Sequence, residues 1–368
     1  MSLRTVRLCL TAFLLVGAAR CTPKEVPFES PDPVPIRVLR VTNAYLPEFT
    51  DRELEIFLAE AQRFAFDQLH VRIRWIDLGE MSTDQFFREY FPVVFPEYRT
   101  EDPFVLNIVE PNPAHARKLA LALAEGHQRD SLAELMAFAS EILPPEQLEV
   151  VDSKGRLFDL VAKHHLEQLA VLAALQAPQA KGVPLLDNAL PYHQYVYWDA
   201  AVREVRRYDL IITNQLLASA ETIDAQIHAS LRGGITTGFT ERSNATYGGS
   251  IVLSSYPVLG EEPPLVEMRG GSYTRDEAAR YLGAYTSHEL GHLLLHLDHP
   301  FDQPDCIMNP ARLLRYREWY QGIERAPQKP GCAIPTDRPI RDVFFGNRPL
   351  LGRIGNSILH AWDRLSGN

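Results

Sequence analysis

Apolar and polar positions along this chain follow two periods, and where the period changes marks its organisation. Residues 36–41 form a β-rich run. Thr50 and Glu53 then offer a capping-box signature, and Leu54, Phe57, Leu58, Ala61 and Ala65 recur on one face of a predicted helix. Val71, Ile73 and Trp75 alternate with Arg72 and Arg74, the period-two mark of a half-buried strand. Strand, helix and strand in this order predict a crossover that leaves the two strands parallel neighbours. Between residues 117 and 175 the spacing turns helical through Leu119, Leu123, Leu135, Leu157, Val161, Leu169 and Leu172, with breaks at Gly126 and at Pro144-Pro145. This predicts a helical insertion over residues 80–207. His164, His165 and His193 lie in it; the adjacent pair point about 100° apart on a helix and cannot serve one metal from one face, so they read as solvent-facing or core residues. Strand character returns at 208–214 as a continuous apolar run suited to a sheet interior. Two glycine-bearing segments follow, RGGITTGFT at 232–240 and YGGSIVLSS at 247–255.

The next helical pattern opens at Thr274, which makes a second capping-box signature with Glu277, and Asp276 suits the first turn. Ala279, Leu282 and Tyr285 lead into Ser287-His288-Glu289-Leu290-Gly291-His292. A spacing of four puts His288 and His292 on one helix face about 6 Å apart, so both can ligate one ion. Glu289 is displaced around the helix and can reach a water that such an ion activates. Zinc suits imidazole ligands and keeps an open position, so the implied reaction is amide hydrolysis with Glu289 as general base. The bare pattern arises by chance in roughly 3% of chains of this composition. Its weight comes from the capped helix around it and from the histidine and methionine that follow; a helix whose histidines merely pack is the alternative. A further helix is predicted over 310–322.

Composition and charge remove other classes. The chain has 368 residues with a net charge of −10, which leaves no basic footprint for nucleic acid. Arg4 and Arg7 precede an apolar stretch at 8–19 that ends in Gly17, Ala18 and Ala19 and is too short to span a bilayer. Residues 1–20 therefore read as a secretory signal, and losing Arg4, Arg7 and Arg20 with no acid takes the charge from −10 to −13. The expected location is periplasmic, outer-membrane-anchored or extracellular. The segment before Cys21 resembles a bacterial lipoprotein signal, which implies lipid on Cys21 and attachment to a membrane; Arg20 departs from that pattern's small residue. Residues 21–35, with five prolines, read as an extended tether. In an oxidising compartment Cys306 and Cys332 are the one internal pair, so a disulfide between them is expected, with two separate buried thiols as the alternative.

The segment HELGHLLLHLDHPFDQPDCIMNPA, residues 288–311, resembles the metzincin clan of zinc metallopeptidases, with matrixin-like and archaemetzincin-like features. The resemblance implies an α+β fold: a mixed, mostly parallel five-stranded sheet, an active-site helix and a methionine turn, here with a large all-helical insertion. The catalytic domain would comprise 36–79 and 208–330, the insertion 80–207, and a C-terminal extension 331–368. It further implies one Zn2+ held by His288, His292 and His299, Glu289 as the catalytic residue, Met308 at the methionine turn, and a substrate-binding edge strand through Gly234, Ile235, Thr236, Thr237 and Gly238. The clan's glycine would fall at Leu295 and its third histidine at Asp298, so Asp298 and His296 stay open beside His299 as third ligand. The implied function is that of an exported zinc endopeptidase acting on protein or peptide, with the insertion as a possible lid. The alternative is a non-catalytic zinc-containing surface lipoprotein acting as a binding module.

Overall fold

A computed structural model describes residues 33–90, 113–186, 198, 208–218, 225–241 and 249–325. The expected signal, Cys21, most of the tether, Cys332 and the C-terminal extension lie outside the described residues.

The crossover forms as the pattern predicts. β1 (Val34–Thr42), α1 (Asp51–Leu69) and β2 (Ile73–Ser82) run in sequence, and β1 and β2 pair in parallel from Val34↔Ile73 to Thr42↔Ser82. Thr50 and Glu53 make the reciprocal capping box at the start of α1, and His70 closes the helix in the left-handed region. β1 starts at Val34, so Val34 and Pro35 belong to the sheet and not to the tether. β2 runs to Ser82, so the insertion does not begin at residue 80. The end of β1 needs ladder partners, and Glu80 supplies side-chain bonds as well, to Arg40 at 3.0 Å and to Thr42 Oγ1 at 2.8 Å.

Beyond residue 82, the described elements up to residue 186 are helical: α2 (Thr83–Tyr90), α3 (Pro113–Gly126), α4 (Leu132–Ala139), α5 (Pro145–Leu148) and α6 (Lys154–Gln176), then two short 3₁₀ turns. The breaks fall at Gly126 and at Pro144-Pro145. On the other side of β1 the sheet continues with β3 (Leu210–Thr213). Next come the short β4 (Leu217–Ala218), α7 (Ile227–Leu231), β5 (Ile235–Thr236), β6 (Gly238–Glu241) and β7 (Ser250–Ser254). The sheet order is β2-β1-β3-β7-β6, parallel except for the β6–β7 pair, while β4 and β5 form a separate two-stranded sheet. This is a mixed α+β molecule with a five-stranded, mostly parallel sheet.

Side chains alternate between two cores. Ile36, Val38, Leu210, Ile212, Ile251 and Leu253 face one, and Leu39, Val41, Ile211 and Val252 the other. The first core holds α1 and α10 (Arg275–Leu290), after α8 (Tyr256–Leu259) and α9 (Pro263–Arg269). It also takes Leu169, Leu172 and Leu175 from the second half of α6. The second core takes Phe86 and Phe87 of α2 with Trp198. The expected insertion is thus fused into both layers of the sheet. Its remaining helices make a third cluster that contains Ile227, Leu231 and Phe301. α11 spans Tyr316–Glu324 instead of starting at Pro310, because Leu313 adopts a left-handed φ of 48° and Tyr316 N–H donates to Tyr273 Oη. Among the described residues no helix is long and apolar enough to cross a membrane.

Candidate metal centre

α10 carries the site, and its start and its end have different causes. Thr274 and Glu277 form a capping box at its start, with both reciprocal bonds present. The helix then packs on α1, where Ser287 Oγ donates to the Ala61 carbonyl at 2.8 Å. After Leu290 the backbone widens into a π-helical turn at Gly291–Leu295, closed by His296 with φ 53° and its N–H on the Gly291 carbonyl. A π turn bonds i to i+5 and so takes up about one residue more than an α turn. The chain then reverses, and Leu297 N–H also reaches the Gly291 carbonyl at 3.2 Å.

This ending brings His299 back over the helix. The Nε2 atoms of His288, His292 and His299 form a triangle with sides of 3.1, 3.0 and 3.2 Å. Three nitrogens bound tetrahedrally at zinc distances would lie about 3.3 Å apart, so the triangle fits one small cation. Among the described residues this triad is the group able to hold a metal ion. Asp298 is exposed and His296 closes the helix; neither joins the triangle. The outward nitrogens are fixed too: His288 Nδ1 donates to the Ile307 carbonyl at 2.8 Å and His292 Nδ1 to the Leu297 carbonyl at 2.6 Å. Such bonds leave Nε2 unprotonated and aimed inward. Burial, then the neighbouring His292, pushes the His288 imidazole well below its ordinary pKa; burial, then His228, does the same to His299. Both stay in the neutral form that ligates.

Met308 lies beneath the helix. It is buried, and a Cβ on Gly291 would collide with its Sδ, so only glycine permits this close approach. The turn around it is tied to the ligand loop: Asn309 Nδ2 donates to the Pro300 carbonyl at 2.9 Å, and Trp319 Nε1 to the Asn309 carbonyl at 2.7 Å. Cys306, at the start of this turn, is buried and disulfide-bonded; its expected partner Cys332 lies outside the described residues.

Glu289 is buried beside β6, where Thr240 Oγ1 donates to its Oε2 at 2.6 Å. A Cβ on Gly238 would stand 2.9 Å from its Oε1. The expected edge strand needs correction here. Gly234, Ile235, Thr236, Thr237 and Gly238 are all buried. Gly234 sits in a turn with φ 93°, and Ile235 and Thr236 pair with β4. Thr237 is held by the Tyr316 hydroxyl. Only Gly238–Glu241 ends the main sheet, because the chain leaves the small sheet at Thr237 and enters the β7 ladder at Gly238.

No family model, curated protein or solved structure matches this chain. The functional reading therefore rests on the site itself.

Three neighbours of the triad were given no site role from the sequence. Tyr285 stacks on His288 with ring centroids 4.9 Å apart and planes 12° apart. Arg232 is fully buried and donates to the Ala311 carbonyl. His228, on α7, meets His299 edge-on at 4.6 Å. Tyr285 precedes His288 by three residues and so shares its helix face, which was readable; α7 approaches only through the tertiary fold.

Proposed function

We propose that this protein is an exported zinc-dependent endopeptidase with a metzincin-like catalytic domain. The observation that carries this reading is the convergence of three imidazole nitrogens, from buried His288 and His292 and half-buried His299, with Glu289, whose carboxylate is held by a residue of the terminal strand of the sheet. His288, His292 and His299 would hold the zinc. When bound, zinc supplies a lowered water pKa and polarises the scissile carbonyl. An extended peptide would add beside β6 through main-chain hydrogen bonds, with little sequence selectivity. Glu289 would take the proton of the attacking water and deliver it to the leaving amine. Thr240 Oγ1 donates to Oε2 of Glu289, and Gly238 lies beside Oε1, so β6 fixes where the carboxylate stands. Because Thr240 belongs to β6, the strand that aligns the peptide also orients the base.

Met308 is buried and packs closely against Gly291, the residue before His292, which supports its reading as a methionine turn. The disulfide at Cys306 supports export, since such bonds persist in oxidising compartments.

Purified full-length protein loaded with zinc should cleave a quenched casein or a peptide library. Glu289→Ala should bind zinc as tightly as wild type and lose cleavage by several orders of magnitude. Cleavage that persists in the variant would sink this mechanism. A zinc-loaded wild type that cuts nothing would favour a binding module instead.

A further inference from the structure

His288 and His292 are set by a capped helix and by carbonyls that receive their Nδ1 protons; His299 stands on a loop, and its surroundings are rings. His228 lies against it edge-on at 4.6 Å and 79°, and Phe301 at 5.9 Å and 63°. Both rings are anchored in the helical insertion. Phe301 is buried in the third core, where it meets Phe138 of α4 at 5.2 Å and His127 at 5.5 Å. α7, which carries His228, is only five residues long and is held at both ends by insertion histidines. Its first N–H, at Ile227, donates to His127 Nε2 at 2.8 Å, and its last carbonyl, at Leu231, receives His164 Nε2 at 3.2 Å. His127 is itself oriented by Asp130 at 2.7 Å, and Lys154 ties that loop down through three carbonyls.

We propose that the helical insertion is the scaffold of the third metal ligand: through Phe301 and through His228 it holds His299 in the triangle and thereby sets metal affinity. This rests on the reading that the triad binds zinc. Phe301 and His228 are positioning residues in this scheme. The Nε2 triangle brings three nitrogens to within 3.2 Å of one another, an arrangement that needs its half-buried loop member restrained. Asn309 Nδ2 holds the neighbouring Pro300 carbonyl at 2.9 Å, while the wall against the His299 ring itself comes from His228 and Phe301.

The test is equilibrium zinc binding by the full chain against a chromophoric competitor, with apoprotein melting recorded in parallel and visible spectra of the cobalt-loaded form reporting ligand number. Phe301→Ala and His228→Ala should each weaken zinc by about 10–100-fold, the range typical of outer-shell partners. Phe301→Leu and His228→Phe, which keep an apolar wall or a ring against His299, should stay close to wild type. The cobalt spectra of the alanine variants should shift toward fewer nitrogen ligands. If Phe301→Ala does not fold, Phe301→Val takes its place and must weaken binding measurably. Unchanged zinc affinity in folded truncation variants, or equal weakening in His228→Phe and His228→Ala, would overturn the proposal while leaving the zinc reading standing. A wild type that binds neither zinc nor cobalt would remove both.

Discussion

Gly238 decides how near the terminal strand comes to Glu289, and this single hydrogen in place of a side chain has a measurable consequence. A Cβ there would press on Glu289 Oε1 at 2.9 Å and on Leu253 Cδ1 at 3.1 Å, both closer than ordinary contact. Leu253 is locked in the core, so the carboxylate would be the group to move. Gly238→Ala should therefore lower kcat by about 10–100-fold, the scale of a displacement near 1 Å in a catalytic group, and leave zinc stoichiometry at wild-type level. A variant with full kcat would show that Glu289 has room to shift. His288, Glu289 and His292 were legible in the sequence because an α-helix turns a spacing of four into one face. The contact between Gly238 and Glu289, 51 positions apart, was not, because it depends on where an edge strand crosses a helix.

At the scale of elements, the two capped helix starts were readable, whereas the end of the helix that carries the site was not. Thr50 with Glu53 and Thr274 with Glu277 cap their helices as the local chemistry demands, since a hydroxyl and a carboxylate three residues apart satisfy amides that nothing else reaches. α10 ends differently. A π turn absorbs one residue, so the left-handed stop falls at His296, one place beyond the Leu295 that the metzincin resemblance implies, and the third nitrogen of the triangle comes from position 299, one place beyond Asp298. A residue other than glycine held at φ 53° carries strain of about 1 kcal/mol. His296→Gly should thus raise the melting temperature by about 2 °C and leave zinc affinity unchanged. A large loss of zinc in that variant would place His296 among the ligands and count against His299. Of the edge strand predicted at 234–238, only Gly238 lies in β6: the glycines suggested one extended strand, whereas the chain there serves two sheets that meet at Thr237.

At the scale of the whole molecule, the interface between the insertion and the site is rich in buried histidines, and it should make stability depend on pH. His165 of α6 is buried against the α7 region, and burial, offset only partly by the Ser230 backbone, pushes its imidazole from 6.5 down to about 4. Burial also lowers His127, against the opposing pull of Asp130. A folded-state pKa below the unfolded value means that the unfolded chain binds the proton first. Stability is therefore full above pH 6.5 and falls as pH drops from 6.5 toward 4, by about 3 kcal/mol for His165 alone. Metal-free protein should melt progressively lower across that window, and His165→Leu should flatten the slope; an equally steep profile in the variant would assign it to other groups. The sequence by itself determined the crossover unit, the helices opened by Thr50 and Thr274, the helical content of the insertion and the placing of His288 and His292 on one face beside Glu289, because each depends on residues within a few positions of one another. Tertiary structure alone decided that His299 completes the triangle, that the edge is Gly238–Glu241, and that the insertion is fused to the sheet with His228 and Phe301 against His299. These depend on how a widened helical turn and a reversing loop meet a distant core, and no local pattern of apolar and polar residues carries that geometry.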